Sequence, residues 1–278
     1  MLNVLFWNLN RKDLGATLAD VAKDTSASIV VVTEAGSKLN ETLVHLKSRA
    51  DEEFLALESE EDRLSKRFQL FSSRADLNLV QEFDADRMHV RRLRWKGLDF
   101  LLAFVHGVDP RNHDQHSRRS EAERLAAYIK ICESRVGHRR TFVVGDFNMN
   151  PFDPGMRLPD GFNGRMVRRA ALTRSSSVQA GLDEADHAPE FYNPMWGCFG
   201  DRTPGPPGSF YHPSRTNGLH GWNMLDQVLV RPQALDWFRD VQILTTAADV
   251  SLASGTGRPS KRRFSDHFPI LLTIGDGK

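Results

Sequence analysis

Cysteine is nearly absent: 278 residues contain two, Cys132 and Cys198, far apart and without metal-type spacing. That usage fits a reducing compartment and supports no disulfide framework. An excess of either charge is missing too, since 37 Lys and Arg face 36 Asp and Glu, for a formal net charge of +1. This excludes a protein that holds nucleic acid by bulk charge alone, but it leaves room for a local basic face. No apolar run is long enough to span a bilayer, so no membrane insertion is expected. The apolar start MLNVLFWNLN is short and lacks a basic leader and a small-residue cleavage site, which makes it a strand rather than a signal peptide. There is no internal repeat at a solenoid period and no composition break that demands a boundary. What remains is ordinary globular composition, 40% hydrophobic and 26% charged, enough for a sizeable core. A single domain over residues 1–278 and a cytoplasmic location are the expectations, and nothing points to a protein partner.

Periodicity supplies the elements. Leu2 to Leu9 reads as a strand, and Asp13 to Lys23 as a helix with Leu14, Leu18 and Val21 on one face and Asp13 as N-cap. Ser28 to Thr33 is a mainly β-branched run, the mark of a strand buried on both faces, and it ends at Glu34. A helix over about Leu39 to Ala50 follows. Phe68 to Phe71, Leu77 to Phe83, Met88 to Trp95 and Leu98 to Val105 read as a meander, with turns at Asp84-Ala85-Asp86 and Lys96-Gly97. Ser117 to Arg135 has Ala122, Leu125, Ala126 and Ile129 at helical spacing. Thr141 to Val144 is another buried strand. From about 151 to 221 Pro, Gly, Asn and Ser dominate and periodicity lapses, so a long irregular loop is expected, of the kind that is usually functional. Strands return at Met224 to Val230, Val241 to Thr245 and Phe268 to Ile274, with a Gly/Ser-rich basic loop over Ser251 to Arg263.

Polar side chains recur where buried strands end: Asn8, Glu34, His106, and Asp146 with Asn148. In α/β proteins that edge is where sites are assembled. Taken singly, each has a plain reading as a turn-former or helix cap. Glu34 is more informative, because a carboxylate is an unusual end to a Val-rich buried strand. Gly145-Asp146-Phe147-Asn148-Met149-Asn150 is sharper still, with three polar groups alternating after an apolar strand. Cleaving an anionic phosphate ester calls for such groups. Hard cations such as Mg²⁺ or Mn²⁺, held by carboxylates and amide oxygens, offset the phosphate charge. A histidine near neutrality moves the proton, and His106 and His267 are the candidates.

In order along the chain, Trp7-Asn8-Leu9-Asn10, Thr33-Glu34, Val105-His106, Gly145-Asp146-Phe147-Asn148, Leu225 to Val230 and Ser265-Asp266-His267 resemble the motifs of the endonuclease/exonuclease/phosphatase superfamily. The likeness covers roughly residues 1 to 274, and GDFN and SDH are its most specific parts. It implies a deoxyribonuclease I-like fold of α/β (α+β) class, a four-layer α/β/β/α sandwich of two mixed sheets. It also implies a divalent-metal-dependent phosphoesterase using Mg²⁺ or Mn²⁺. By that resemblance Glu34 is the principal metal ligand, Asn8 the amide beside it, and Asp266 a further ligand or electrostatic partner. His106 matches a phosphate-contacting histidine, Asp146 and Asn148 position water and phosphate, and Asp226 with His267 is the acid–histidine pair. Asn10 is a weaker substrate contact. In-line attack of a metal-assisted water is the mechanism so implied, with either His267 or Asp146 as the base.

Nucleic acid is the first-choice substrate. Basic clusters recur at Arg91-Arg92-Leu93-Arg94, Arg118-Arg119, Arg165 with Arg168-Arg169, and Lys261-Arg262-Arg263. The last precedes Ser265-Asp266-His267 directly, which places Arg262 and Arg263 at the rim of the site as phosphate contacts. Aromatics of the long loop, Phe191, Tyr192, Trp196, Phe199, Phe210, Tyr211 and Trp222, could stack on bases or form satellite cores. Arg91 to Arg94 alternate across a strand and cannot all face one ligand. The alternatives are a phosphatase or phosphodiesterase for a small phosphorylated molecule, nucleotide or lipid headgroup, and, from another class, a catalytically silent binding module. No tyrosine stands between Glu34 and the GD-N motif in the way abasic-site endonucleases place one, which tilts away from abasic-site repair. Gln227 stands where many relatives have His or Tyr.

Overall fold

The structure is a computed structural model that describes residues 1–49, 53–58, 67–74, 76–176, 190–202, 204–216 and 219–275. Its strands are β1 (Leu2–Lys12), β2 (Ile29–Ala35), β3 (Leu55–Ala56), β4 (Phe68–Ser72), β5 (Asn78–Ala85), β6 (Met88–Trp95), β7 (Leu98–His106) and β8 (Thr141–Asp146). The second half adds β9 (Gly164–Arg165), β10 (Phe191–Tyr192), β11 (Phe210–Thr216), β12 (Leu219–Asn223), β13 (Asp226–Val230), β14 (Phe238–Ile243), β15 (Thr246–Ala247), β16 (Val250–Ser251) and β17 (Ile270–Ile274). The helices are α1 (Gly15–Asp24), α2 (Leu39–Arg49), α3 (Gln115–Val136), α4 (Pro154–Arg157) and α5 (Arg168–Ser176). No helix among the described residues is long and apolar enough to cross a membrane.

Two mixed sheets carry the fold. One has six strands in the order β14-β17-β1-β2-β4-β3, the other seven in the order β5-β6-β7-β8-β13-β10-β9. Period-two alternation decides what each strand buries. On β1 and β2, Val4, Phe6, Ile29 and Val31 point inward to a cluster shared with Phe100, Leu102, Phe104, Phe142, Val144 and Val228 of the facing sheet. Their neighbours Leu5, Trp7, Leu9, Val30 and Val32 point outward under α1 and α2, against Leu18, Val21 and Leu46. The second sheet behaves likewise: Leu101, Ala103, Val105 and Val143 turn outward to Ala122, Leu125, Ala126 and Ile129 of α3. Helix, sheet, sheet and helix are thus the four layers. The β-branched run of β2 is buried on both faces because it has a layer on each side.

Some boundaries differ from the sequence reading. Helix α1 starts at Gly15, with Leu14 at the N-cap position and no side-chain cap bond, so Asp13 is not the N-cap. Helix α3 starts two residues before Ser117, because Asp114 is its N-cap and accepts from the Ser117 amide at 2.8 Å. The first meander turn is Asp86-Arg87, since pairing continues to Ala85↔Met88. Ala50, at the end of the expected second helix, lies outside the described residues. The region 151–221 contains α4, α5, a 3₁₀ turn over Pro194–Cys198 and the hairpin β11–β12. Short two-residue strands and local polar caps hold it, and these leave no periodic signal; residues 177–189, 203 and 217–218 of it are outside the described set.

Candidate active site

One edge of the two sheets gathers the polar residues. Strands β1 and β2 pair regularly in parallel as far as Asn8↔Thr33, with Glu34 next, while β7 and β8 run parallel and end at His106 and Asp146. Strand β13 is antiparallel to β8, so its first residue, Asp226, pairs in register with Asp146. Strand β17 is antiparallel to β1, which puts His267, just ahead of it, at the same edge. The local backbone is bent to serve this edge. Asn10, Arg11, Glu34 and Asn148 all have positive φ, between 48° and 58°. That region is costly for residues with a side chain and persists where the surroundings enforce it. At Glu34 it turns the carboxylate of a strand end into the cleft. Gly145 is required as glycine, because an added Cβ would lie 2.0 Å from the Val105 carbonyl oxygen.

The result is an open cleft of about 360 Å³, to which Asn8, Asn10, Glu34, Asp146, Asn148, Asp266 and His267 all contribute. Asp146 is its hub. Its Oδ2 accepts from Asn8 Nδ2 at 2.9 Å and Asn148 Nδ2 at 3.4 Å, and its Oδ1 accepts the Asn148 backbone N–H at 2.9 Å. The Asn8 side-chain oxygen Oδ1 accepts the Asn10 backbone N–H at 2.9 Å. His267 Nδ1 meets Asp226 Oδ2 at 2.7 Å, and its Nε2 lies 3.9 Å from Asp146 Oδ2. His106 does not line the cleft directly; its Nε2 stands 3.3 Å from Glu34 Oε1 and 3.9 Å from Asp146 Oδ2.

Hydrogen-bond accounting fixes the His106 ring. The Thr33 hydroxyl has one proton and donates it to the Arg67 carbonyl at 3.0 Å, so it accepts from His106 Nδ1 at 3.0 Å. Nε2 is then the nitrogen that faces Glu34. The hydrogen bond from His106 is the main reason the Glu34 carboxyl is held down to about 2, against burial that would raise it. At His267, burial favours the neutral ring, but the carboxylates of Asp226, Asp146 and Asp266 outweigh it and hold the imidazole up to about 10. Burial also pushes Asp226 upward, with His267 opposing.

The SDH segment is tied to β1 by its own polar atoms. Ser265 Oγ donates to the Asn8 carbonyl at 2.6 Å and accepts the His267 amide at 3.1 Å, while Trp7 Nε1 donates to the His267 carbonyl at 2.9 Å. Phe210 of the β11–β12 hairpin packs on the His267 ring with centroids 4.7 Å apart. Asp109 and Arg111 line the cleft and were missed by the sequence reading, as was Thr33; a turn and a strand interior carried no signal for them. Arg262 and Arg263 are exposed but do not line the cleft, and the neighbouring Lys261 instead pairs with Asp266 at 2.9 Å. Gln227 faces the protein, bonding the Met149 carbonyl at 2.6 Å and Asn193 at 2.7 Å, which is why that position tolerates an amide.

The cleft fits a hard divalent cation. It offers the Glu34 and Asp266 carboxylates with the Asn8 amide oxygen, and none of the described lining residues brings a sulfur donor. A second grouping, Asp146, Asp226 and His267, has ligand atoms within 4.8 Å of one another. There the Asp226 and His267 atoms are spent on each other, and a charged imidazole repels a cation. Most loop aromatics are not exposed platforms either. Phe191 lies under Arg231, whose guanidinium is 3.6 Å from the ring centroid, and Tyr192 packs on Phe238. Phe152, Trp196 and Phe199 do form a partly exposed group, with Phe152–Phe199 centroids 5.9 Å apart.

A model of the Endonuclease/Exonuclease/phosphatase family matches residues 5–267. No curated protein sequence matches the chain. Among solved structures, the endonuclease domain of TRAS1, a telomere-specific non-LTR retrotransposon, is similar at 15% identity and a TM-score of 0.53, covering 100% of both chains. A functionally unknown conserved protein from Enterococcus faecalis V583 is similar at 14% identity and a TM-score of 0.56, again over 100% of both. TDP2 from D. rerio, complexed with single strand DNA product, is similar at 12% identity and a TM-score of 0.55, covering 99% of both. These likenesses concern the fold.

Proposed function

This chain belongs to the endonuclease/exonuclease/phosphatase family, and as a metal-dependent phosphoric ester hydrolase it is, we propose, a nuclease that cuts phosphodiester bonds of DNA or RNA. The observation that carries the reading is the chain of contacts Asp226–His267–Asp146, 2.7 Å and 3.9 Å, opening on the cleft that Glu34 and Asp266 share. Support for nucleic acid comes from fold relatives described as an endonuclease and as bound to a DNA product. Phe152, shortly after the GDFN segment, clusters with Trp196 and Phe199, and these rings suit base stacking. We read residues 1–278 as one domain acting in the cytoplasm, and the family match over 5–267 and the sparse cysteines support this.

Glu34, Asn8 and Asp266 would hold Mg²⁺ or Mn²⁺, which when bound offsets phosphate charge and stabilises the leaving oxygen. The remaining work falls to the chain. Asn8 and Asn148 pin Asp146 so that its carboxylate orients the attacking water in line with the scissile bond, and Asp146 is the group left to accept its proton. His267 arrives charged, donates from Nε2 to the phosphate, and Asp226 keeps it so. His106, with Nδ1 committed to Thr33, holds Nε2 3.3 Å from Glu34 Oε1 and steadies that carboxylate behind the cleft. Asn10 lines the entrance. The test is hydrolysis of single- and double-stranded DNA, RNA and inositol phosphates with Mg²⁺ or Mn²⁺, and with EDTA. Cleavage of a nucleic acid that EDTA abolishes is expected. Activity on inositol phosphates alone would replace the nuclease by a small-molecule phosphatase.

A further inference from the structure

The cleft has a cation to which the mechanism above gives no task. Arg111 lies on the loop between β7 and α3 and lines the cleft together with Glu34, Asp109, Asp146 and Asp266. Four carboxylates there face only Arg111 and His267 among the described lining residues, so an entering phosphate anion meets repulsion wherever a base or a metal does not receive it.

The loop is shaped to aim that guanidinium. Pro110 sets φ at the turn, and the Asn112 and His113 amides both donate to the Asp109 carbonyl at 3.1 Å. The Arg111 amide donates to Asp109 Oδ1 at 2.8 Å, and its Nε and Nη2 reach Oδ2 at 2.9 Å and 2.7 Å. The side chain is nevertheless 52% exposed, with the Asp109 carboxylate holding one edge of the fork. Asp109 dominates its electrostatic surroundings, followed by Asp266 and Glu34, the two carboxylates proposed to hold the metal.

Resting on the phosphoester reading, we propose that Arg111 binds the substrate phosphate through its non-bridging oxygens and that Asp109 is the residue that positions it. A planar fork is suited to bidentate phosphate recognition, and one already held in place loses little freedom on binding. This assigns to a turn residue the phosphate contact that sequence order suggested for Arg262 and Arg263.

The experiment reads binding and turnover separately on the full chain. Inorganic phosphate is titrated by calorimetry with Mg²⁺ present, and KM and kcat are measured with bis-p-nitrophenyl phosphate. Arg111→Ala is expected to raise the phosphate Kd and the KM about 10- to 100-fold, the loss of charged hydrogen bonds, with a smaller change in kcat. Arg111→Lys recovers part of the loss, since a point charge replaces a fork, and Asp109→Asn weakens binding less than Arg111→Ala. Phosphate binding and KM in Arg111→Ala within two-fold of the unmodified chain, roughly the scatter of such data, would overturn the assignment. Were the unmodified chain to bind phosphate through Arg111 but hydrolyse no diester, the nuclease reading would fall and the clamp would stand.

Discussion

Asp226→Asn isolates the part of the site that depends on one buried charge. Asp226 is wholly buried and its Oδ2 lies 2.7 Å from His267 Nδ1. The carboxylates around His267 raise it from 6.5 to about 10 in spite of burial, with Asp226 first among them. At 1.36 kcal/mol per pKa unit, that is about 5 kcal/mol in favour of the charged ring, shared by Asp226, Asp146 and Asp266. An amide of the same shape removes the largest share and leaves the burial cost in place. The ring should then titrate near or below 6.5 and be mostly neutral at pH 7.5. Turnover should fall by about 10²–10⁴, the range for losing an oriented proton donor and its partner. Two assays check this: steady-state hydrolysis of bis-p-nitrophenyl phosphate, and NMR titration of the His267 ring protons in EDTA. The pH sign follows from the raised value. In the metal-free protein the stabilisation is complete below 6.5 and is lost as pH rises through about 10, so urea midpoints should decline over that window. Asp226→Asn should flatten the decline. A variant in which His267 still titrates near 10, or which keeps turnover within ten-fold of the unmodified enzyme, would refute the reasoning.

Glu34→Gln should abolish metal-dependent turnover. Because the Glu34 carboxyl is held down to about 2 in the fold, its stabilisation is present above 4.5 and fades as pH falls towards 2; the gap between the two proteins' metal-free urea midpoints should close over that interval. Glu133→Ala should cost about 3–5 kcal/mol in urea denaturation, since it leaves the buried Arg231 guanidinium without the carboxylate now at 2.7 Å and 3.1 Å. Residual kcat of that variant, measured while it remains folded, should match the unmodified enzyme. Gly145→Ala should destabilise by at least about 1–3 kcal/mol, because the new Cβ would strike the Val105 carbonyl oxygen; an unchanged urea midpoint would mean that β7 and β8 are spaced differently.

Much of the strand framework was legible in the residues because burial leaves a periodic trace. The β-branched run of β2, the alternation along β1 and the helical spacing of Ala122, Leu125 and Ile129 each state which faces are apolar, and hydrophobic burial does the rest. Strand-end polar residues could be picked out for the same reason, as interruptions of apolar runs: Asn8, Glu34, His106, Asp146 and Asn148. Asp226 could not, since it begins an antiparallel strand and only the resemblance singled it out; His267, ahead of another such strand, stood out only as a histidine suited to moving a proton. The meeting of Asn8 with Asp146, of Thr33 with His106 and of Asp226 with His267 depends on which strands pair and in which direction, and local propensity is silent on that. The same limit explains Arg111 and Arg263. A run of basic residues beside a motif suggests a phosphate contact, yet whether a side chain faces the cleft is set by how a loop folds back on the sheets. Periodicity determined which faces of the elements are apolar; the tertiary structure alone decided partners, because a hydrogen bond or an ion pair is fixed by distances between residues that the chain separates by as many as 260 positions.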